Sequence, residues 1–131
     1  MSDSNDLPHN NLDYLAAHHA QKLVDTLKDS AKDTENTVTK TLGVLQENGV
    51  YACFLYLYAR EKKGEAIAAE MLALFTSLKF SDTPNASSKD KTLKYIAEEI
   101  TSDLHRLLLV KEALEQMLIY ARYGAKARQK S

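Results

Sequence analysis

One cysteine, two prolines, four glycines and no tryptophan occur in 131 residues. A lone thiol closes no internal disulfide and suits a reducing compartment. Set between Ala52 and Phe54 in an apolar run, Cys53 reads as a buried core thiol. The scarcity of proline and glycine leaves little punctuation for β-turns, and most of these residues fall where helices should end. An excess of one charge is also missing: seventeen Lys and Arg stand against eighteen Asp and Glu. A non-specific polyanion binder carries a strong positive surplus, so any nucleic-acid contact here has to come from a local patch. No stretch reaches the ~18–20 apolar residues of a membrane span. Met1-Ser2-Asp3-Ser4-Asn5-Asp6 is acidic where a signal peptide is basic, so a cytoplasmic protein with no membrane partner is expected.

The residue patterns of familiar catalysts are lacking too. None of His18, His19 and His105 has a carboxylate three residues before it, the spacing of a helical di-metal site. One cysteine and two adjacent histidines make no zinc pattern. Small all-helical ribonucleases place a histidine shortly after an arginine, and no histidine here is so placed. There is no glycine-rich phosphate loop and no nucleophile elbow. The expectation is a protein without catalytic residues, metal, cofactor or small-molecule substrate.

Helical periodicity is abundant. After a polar leader over residues 1–10, Leu12, Leu15, Ala16, His19, Ala20, Leu23, Leu27 and Ala31 recur at spacings of three and four, one face of a first helix. The polar run 29–36 reads as an interruption. Val38, Leu42 and Leu45 mark a second helix, stopped by Asn48-Gly49, residue types that tolerate a left-handed cap. Residues 50–59 are apolar on every side, which periodicity alone assigns neither to a strand nor to a central helix. Helix is the better reading, because no other window offers a strand partner. Arg60-Glu61-Lys62-Lys63-Gly64 then closes this third helix with cations suited to its C-terminus. Tyr51, Tyr56 and Tyr58 need a polar rim or a partner for their hydroxyls.

Ile67, Ala68, Met71, Leu72, Leu74, Phe75 and Leu78 form a fourth, amphipathic helix. The segment 79–91 is the longest polar loop and the most mobile by composition. Leu93, Ile96, Ala97, Ile100 and Leu104 line a fifth helix with Ser88 as its N-cap, and Thr101-Ser102-Asp103 bends or breaks the path into a last helix over residues 104–129. Residues 11–131 thus make one all-α bundle of about six helices.

The last helix carries three faces. Leu107, Val110, Leu114, Met117, Leu118, Ala121 and Ala125 form its core face. Lys111, Arg122 and Lys126 share a stripe about 60° wide with Glu115 between them. Residues 105–131 sum to +4 and residues 1–104 to −5, so this end is the electropositive pole. The stripe is either a solvated face complementing the helix dipole or a phosphate-backbone contact. Arg60, Lys62 and Lys63 form the next candidate patch. Leu109, Tyr120 and Tyr123 lie on a third face, which implies burial in the bundle or a protein interface.

Two blocks resemble a known family. Leu42-Gly43-Val44-Leu45-Gln46-Glu47-Asn48-Gly49-Val50, followed by the Ala-rich and aromatic helix 52–58, resembles the small helical subunit of the Cmr complex, the type III-B CRISPR effector. The ending Leu109-Val110-Lys111-Glu112-Ala113-Leu114, then Ile119-Tyr120-Ala121-Arg122-Tyr123-Gly124-Ala125, is similar to that family's closing helix. The order and spacing of the blocks agree. The chain departs from the pattern at Ile119, near which a tryptophan is frequent, and at Ala121, where a second basic residue is common. The resemblance implies a non-catalytic, all-α structural subunit for antiviral defence. It would stack with copies of itself and with other Cmr subunits along the guide RNA–target RNA duplex. The alternative is a helical protein–protein adaptor with no RNA role; a small ribonuclease is a third, weaker reading.

Overall fold

In the computed structural model the described residues are 11–129. The leader expected over residues 1–10 lies outside them. The described residues form six α-helices and no strand: α1 (Leu12–Leu27), α2 (Ala31–Asn48), α3 (Val50–Arg60), α4 (Gly64–Ser77), α5 (Lys89–Tyr95) and α6 (Leu104–Arg128). A π-helical turn, Ile96–Ile100, prolongs α5. The all-α bundle expected from the periodicity is therefore the fold.

Asn11 starts α1 by accepting a hydrogen bond from the Asp13 amide at 2.8 Å, and Lys28 ends it in the left-handed region at φ 55°. The polar run 29–36 proves to be the start of a helix. Ser30 caps α2 by accepting from the Asp33 amide at 3.1 Å, and Ala31 opens α2 rather than extending α1. A polar stretch reports solvent on most of its sides, which an amphipathic first turn also has. Thr34 alone faces the core there. Gly49, at φ 97°, closes α2 and opens α3, giving its amide to the Leu45 carbonyl at 3.0 Å.

α3 is helical as expected, but it is not buried all round. Val50, Cys53, Phe54 and Leu57 enter the core, while Tyr51 and Leu55 lie 39% and 45% exposed. Gly64 does not close α3; it is the first residue of α4, packed against the Leu57 carbonyl so closely that a Cβ would collide with it. Phe54 of α3 and Phe75 of α4 meet with ring centroids 6.0 Å apart at the centre of the core.

Of the loop expected over 79–91, residues 89–91 already belong to α5, and the remainder is tied at several points. Phe80 packs on Phe75, the Thr76 and Thr83 hydroxyls pair at 2.8 Å, and Ala86 is buried with its carbonyl accepting from the Tyr58 hydroxyl at 2.7 Å. Ser88 occupies the position before α5, yet its side chain makes no capping bond; its carbonyl accepts from the Thr92 amide instead. Of the expected fifth-helix face, Ile96 and Ile100 are buried, Ala97 is exposed and Leu104 is 66% exposed. The π-turn and the Asp103 cap, whose carboxylate accepts from the Arg106 amide at 3.1 Å, restart the helix in a new direction and carry Leu104 outward.

α6 packs along α1 and α2 and buries Val110, Ala113, Leu114, Met117, Leu118, Ala121 and Ala125. Tyr120 meets Asp13 and Arg128 meets Asp25, so α1 and α6 run in the same direction. Gln129 donates to Glu35 at 2.7 Å, so the start of α2 lies at the end of α6. No described helix is long and apolar enough to cross a membrane.

Candidate nucleic-acid interface

The three cations of the closing-helix stripe are held on one rigid helix, with Lys111 and Arg122 half-buried and Lys126 exposed. Their arrangement follows from helical pitch: Arg122 and Lys126 are four residues apart and so stand one above the other. The guanidinium of Arg122 lies over the ring of Tyr123, 5.6 Å from its centroid. Among the described residues Arg122 makes no ion pair. Arg128, outside the stripe, is instead paired with Asp25 of α1.

The expected protein-interface trio separates. Tyr123 is 59% exposed and Leu109 is also exposed, but Tyr120 turns toward α1. The Tyr120 hydroxyl donates to Asp13 and accepts from Gln116 Nε2 at 3.0 Å; its bond to the carboxylate raises its pKa above the usual phenol value. Tyr120 lines a groove of about 340 Å³ between α1 and α6, floored by Ala17, Ala20 and Gly124. Two further apolar residues on the first turns of α6 are exposed, Leu104 and Leu108, the latter 57% exposed; by helical pitch they continue the line of the cation stripe rather than the face of Leu109 and Tyr123.

The second patch also divides. Lys63 spans the end of α1: its Nζ donates to the Leu27 carbonyl at 2.7 Å and lies 3.4 Å from Asp29. That cation is committed to holding the chain reversal. Arg60 and Lys62 are exposed, and the structure adds Lys40 of α2, which lines an open cleft of about 490 Å³ with Tyr56, Arg60 and Glu61. Tyr56 donates to Glu61 at 2.6 Å, and burial first and Glu61 second push its pKa up to about 12. Asp29, Asp33 and Glu61 interleave with these cations, so the patch is mixed in sign where the α6 stripe is more uniformly basic. No sequence signal joins Lys40 to Arg60, because twenty residues separate them.

A further constellation joins α1 to α4. His19 Nδ1 lies 2.6 Å from Glu70 Oε2, and its Nε2 lies 2.8 Å from Ser77 Oγ, the order of a hydrolytic serine–histidine–carboxylate relay. The three amides that follow Ser77 are engaged within the chain turn, Leu78 with Leu74, Lys79 with Thr76 and Phe80 with Phe75, so none of these three is open to an oxyanion. Ser77 also ends α4, where carbonyl dipoles gather negative potential. The contacts of the constellation join α1 to the middle and the end of α4. His18, the neighbouring histidine, is exposed and stacks on Tyr14 at 5.9 Å. Among the described residues no three His, Cys, Asp or Glu side chains cluster to hold a metal ion. Cys53 is fully buried, and desolvation pushes its thiol up to about 12, so it is held as an inert thiol.

No protein-family model, curated protein or solved structure matches the chain.

Proposed function

We propose that the chain is a non-catalytic structural subunit of a type III-B CRISPR (Cmr) RNA-targeting complex, stacking with copies of itself along the guide RNA–target RNA duplex in antiviral defence. The observation that carries this reading is the α6 stripe, where Lys111, Arg122 and Lys126 outnumber the one acid between them, Glu115, on a chain of net −1. Duplex RNA is bound through backbone and shape, and a stripe of cations on a straight helix suits that task. A few contacts per copy gain strength when several copies line one duplex. The resemblance of the segments around 42–58 and 109–125 to the Cmr small subunit is what points to this complex in particular.

The test is assembly of the Lys111→Glu, Arg122→Glu double variant on guide-loaded complex at two salt concentrations. Weakened assembly and a shallower salt dependence are expected, with the logarithmic slope reduced by roughly 0.7–0.9 for each phosphate the variant no longer neutralises. Unchanged assembly with unchanged salt dependence removes the stripe from the RNA surface.

A second reading, a helical adaptor without an RNA role, is favoured by one observation: Leu104 and Leu108 stand 66% and 57% exposed on adjacent turns of α6. In that case Leu108→Asp weakens association with a protein partner while the double charge reversal does not.

A further inference from the structure

The outward face of α6 holds more than cations. Tyr123 is 59% exposed, and the Arg122 guanidinium sits over its ring at 5.6 Å. Arg122 reaches across from the stripe to the neighbouring face that carries Tyr123, and Lys126, three residues after Tyr123 and four after Arg122, stands one turn further along. Ile119, half-buried against the core, lies one turn before Arg122 and Tyr123. Arg106 near the start of α6 offers a contrast. It also lies over a ring, Phe80 at 5.7 Å, but Glu99 and Asp103 neutralise it. Arg122 has no carboxylate partner among the described residues, so its planar donors are open to an anion.

An exposed aromatic ring between two open cations asks for a ligand with both a flat π-surface and adjoining negative charge. Duplex RNA presents phosphates but keeps its bases in the stack, and it would leave the ring unused. An unpaired nucleotide presents both at once, and aromatic side chains interleaved with cations are the usual means of holding one. We infer that Tyr123 stacks on an unpaired nucleobase while Arg122 and Lys126 take the flanking phosphates, so this end of α6 holds single-stranded RNA. The inference rests on the RNA-binding reading above and departs from it at one point: at the Arg122–Lys126 end of the stripe the RNA held is an unpaired strand rather than the duplex.

The test titrates the full chain, at low salt, into a single-stranded RNA carrying one fluorescent purine analogue and into the blunt duplex of the same sequence. Binding of the single strand is expected to quench the analogue. Tyr123→Ala weakens single-strand binding by about five- to a hundredfold and removes the quench, Tyr123→Phe retains both, and neither changes duplex binding. Helix content by circular dichroism stays at the wild-type value in both variants, because the ring contributes little to the core. If Tyr123→Ala binds the single strand like the wild type while Lys111→Glu, Arg122→Glu does not, stacking is overturned and the RNA reading stands. Binding of the duplex alone by the wild type has the same meaning. If the wild type binds neither RNA, both fall.

Discussion

His19 of α1 and Glu70 of α4 meet at 2.6 Å with side chains only 4% and 11% exposed, a hydrogen-bonded pair more deeply buried than any of the Lys or Arg contacts to a carboxylate among the described residues. Ser77 occupies the other ring nitrogen, so every polar atom of the imidazole is satisfied inside the bundle. Each half of the pair therefore depends on the other.

Removing one half leaves a buried polar group alone, which costs more than the pair contributes. Glu70→Ala is expected to lower the unfolding free energy by about 1–3 kcal/mol, and Ser77→Ala by about 1 kcal/mol, in urea titrations. A Glu70→Ala variant as stable as the wild type would show that water replaces the carboxylate and that the pair contributes nothing.

Two glycines give opposite signs under the same substitution. Gly43 lies within α2 with open space where a Cβ would project, so Gly43→Ala is expected to stabilise by about 0.5–1 kcal/mol. At Gly64 a Cβ would run into the backbone carbonyl of Leu57, which no side-chain rotation relieves. Gly64→Ala is expected to destabilise by at least ~1–3 kcal/mol as α3 and α4 are forced apart. Thermal midpoints moving in the same direction for both would contradict the packing described for the α3–α4 junction.

Alkaline pH bears on two groups whose folded pKa values lie above their unfolded ones. Cys53 goes from 9.0 to about 12 and Tyr56 from 10.0 to about 12. A raised pKa means that the unfolded chain loses these protons first, so stability falls as pH rises. Their contribution is intact below pH 9 and is lost as pH climbs through about 12. The unfolding free energy of the wild type should decline across that window. In the Tyr56→Phe variant the decline should be shallower above pH 10, the ordinary value for the phenol. Equal slopes for the two proteins would mean that Tyr56 ionises alike in both states.

The helices are legible where spacing alone decides them. Leu15, Ala16, Leu23 and Leu27 in α1 and Val110, Leu114, Met117 and Ala121 in α6 are all buried, as their recurrence at three and four requires. The Asn48-Gly49 stop is where α2 ends. The start of α2 is hidden because a capped, solvent-facing first turn has the composition of a loop. Ala97 and Leu104 leave the expected face because the π-turn at Ile96–Ile100 shifts the helical phase, a change that no apolar spacing announces.

The candidate site divides along the same line. Sequence by itself determined that Lys111, Arg122 and Lys126 share a face, since helical pitch is a local property. It also determined the buried thiol and the all-α class. Only the tertiary structure decided that Tyr120 is tied to Asp13 while Tyr123 stays open, that Lys63 is spent on the Leu27 carbonyl, and that Lys40 joins Arg60. Whether a side chain is free or engaged depends on which distant helix is packed beside it, and that partner is chosen by the burial of the whole core rather than by neighbours in the chain.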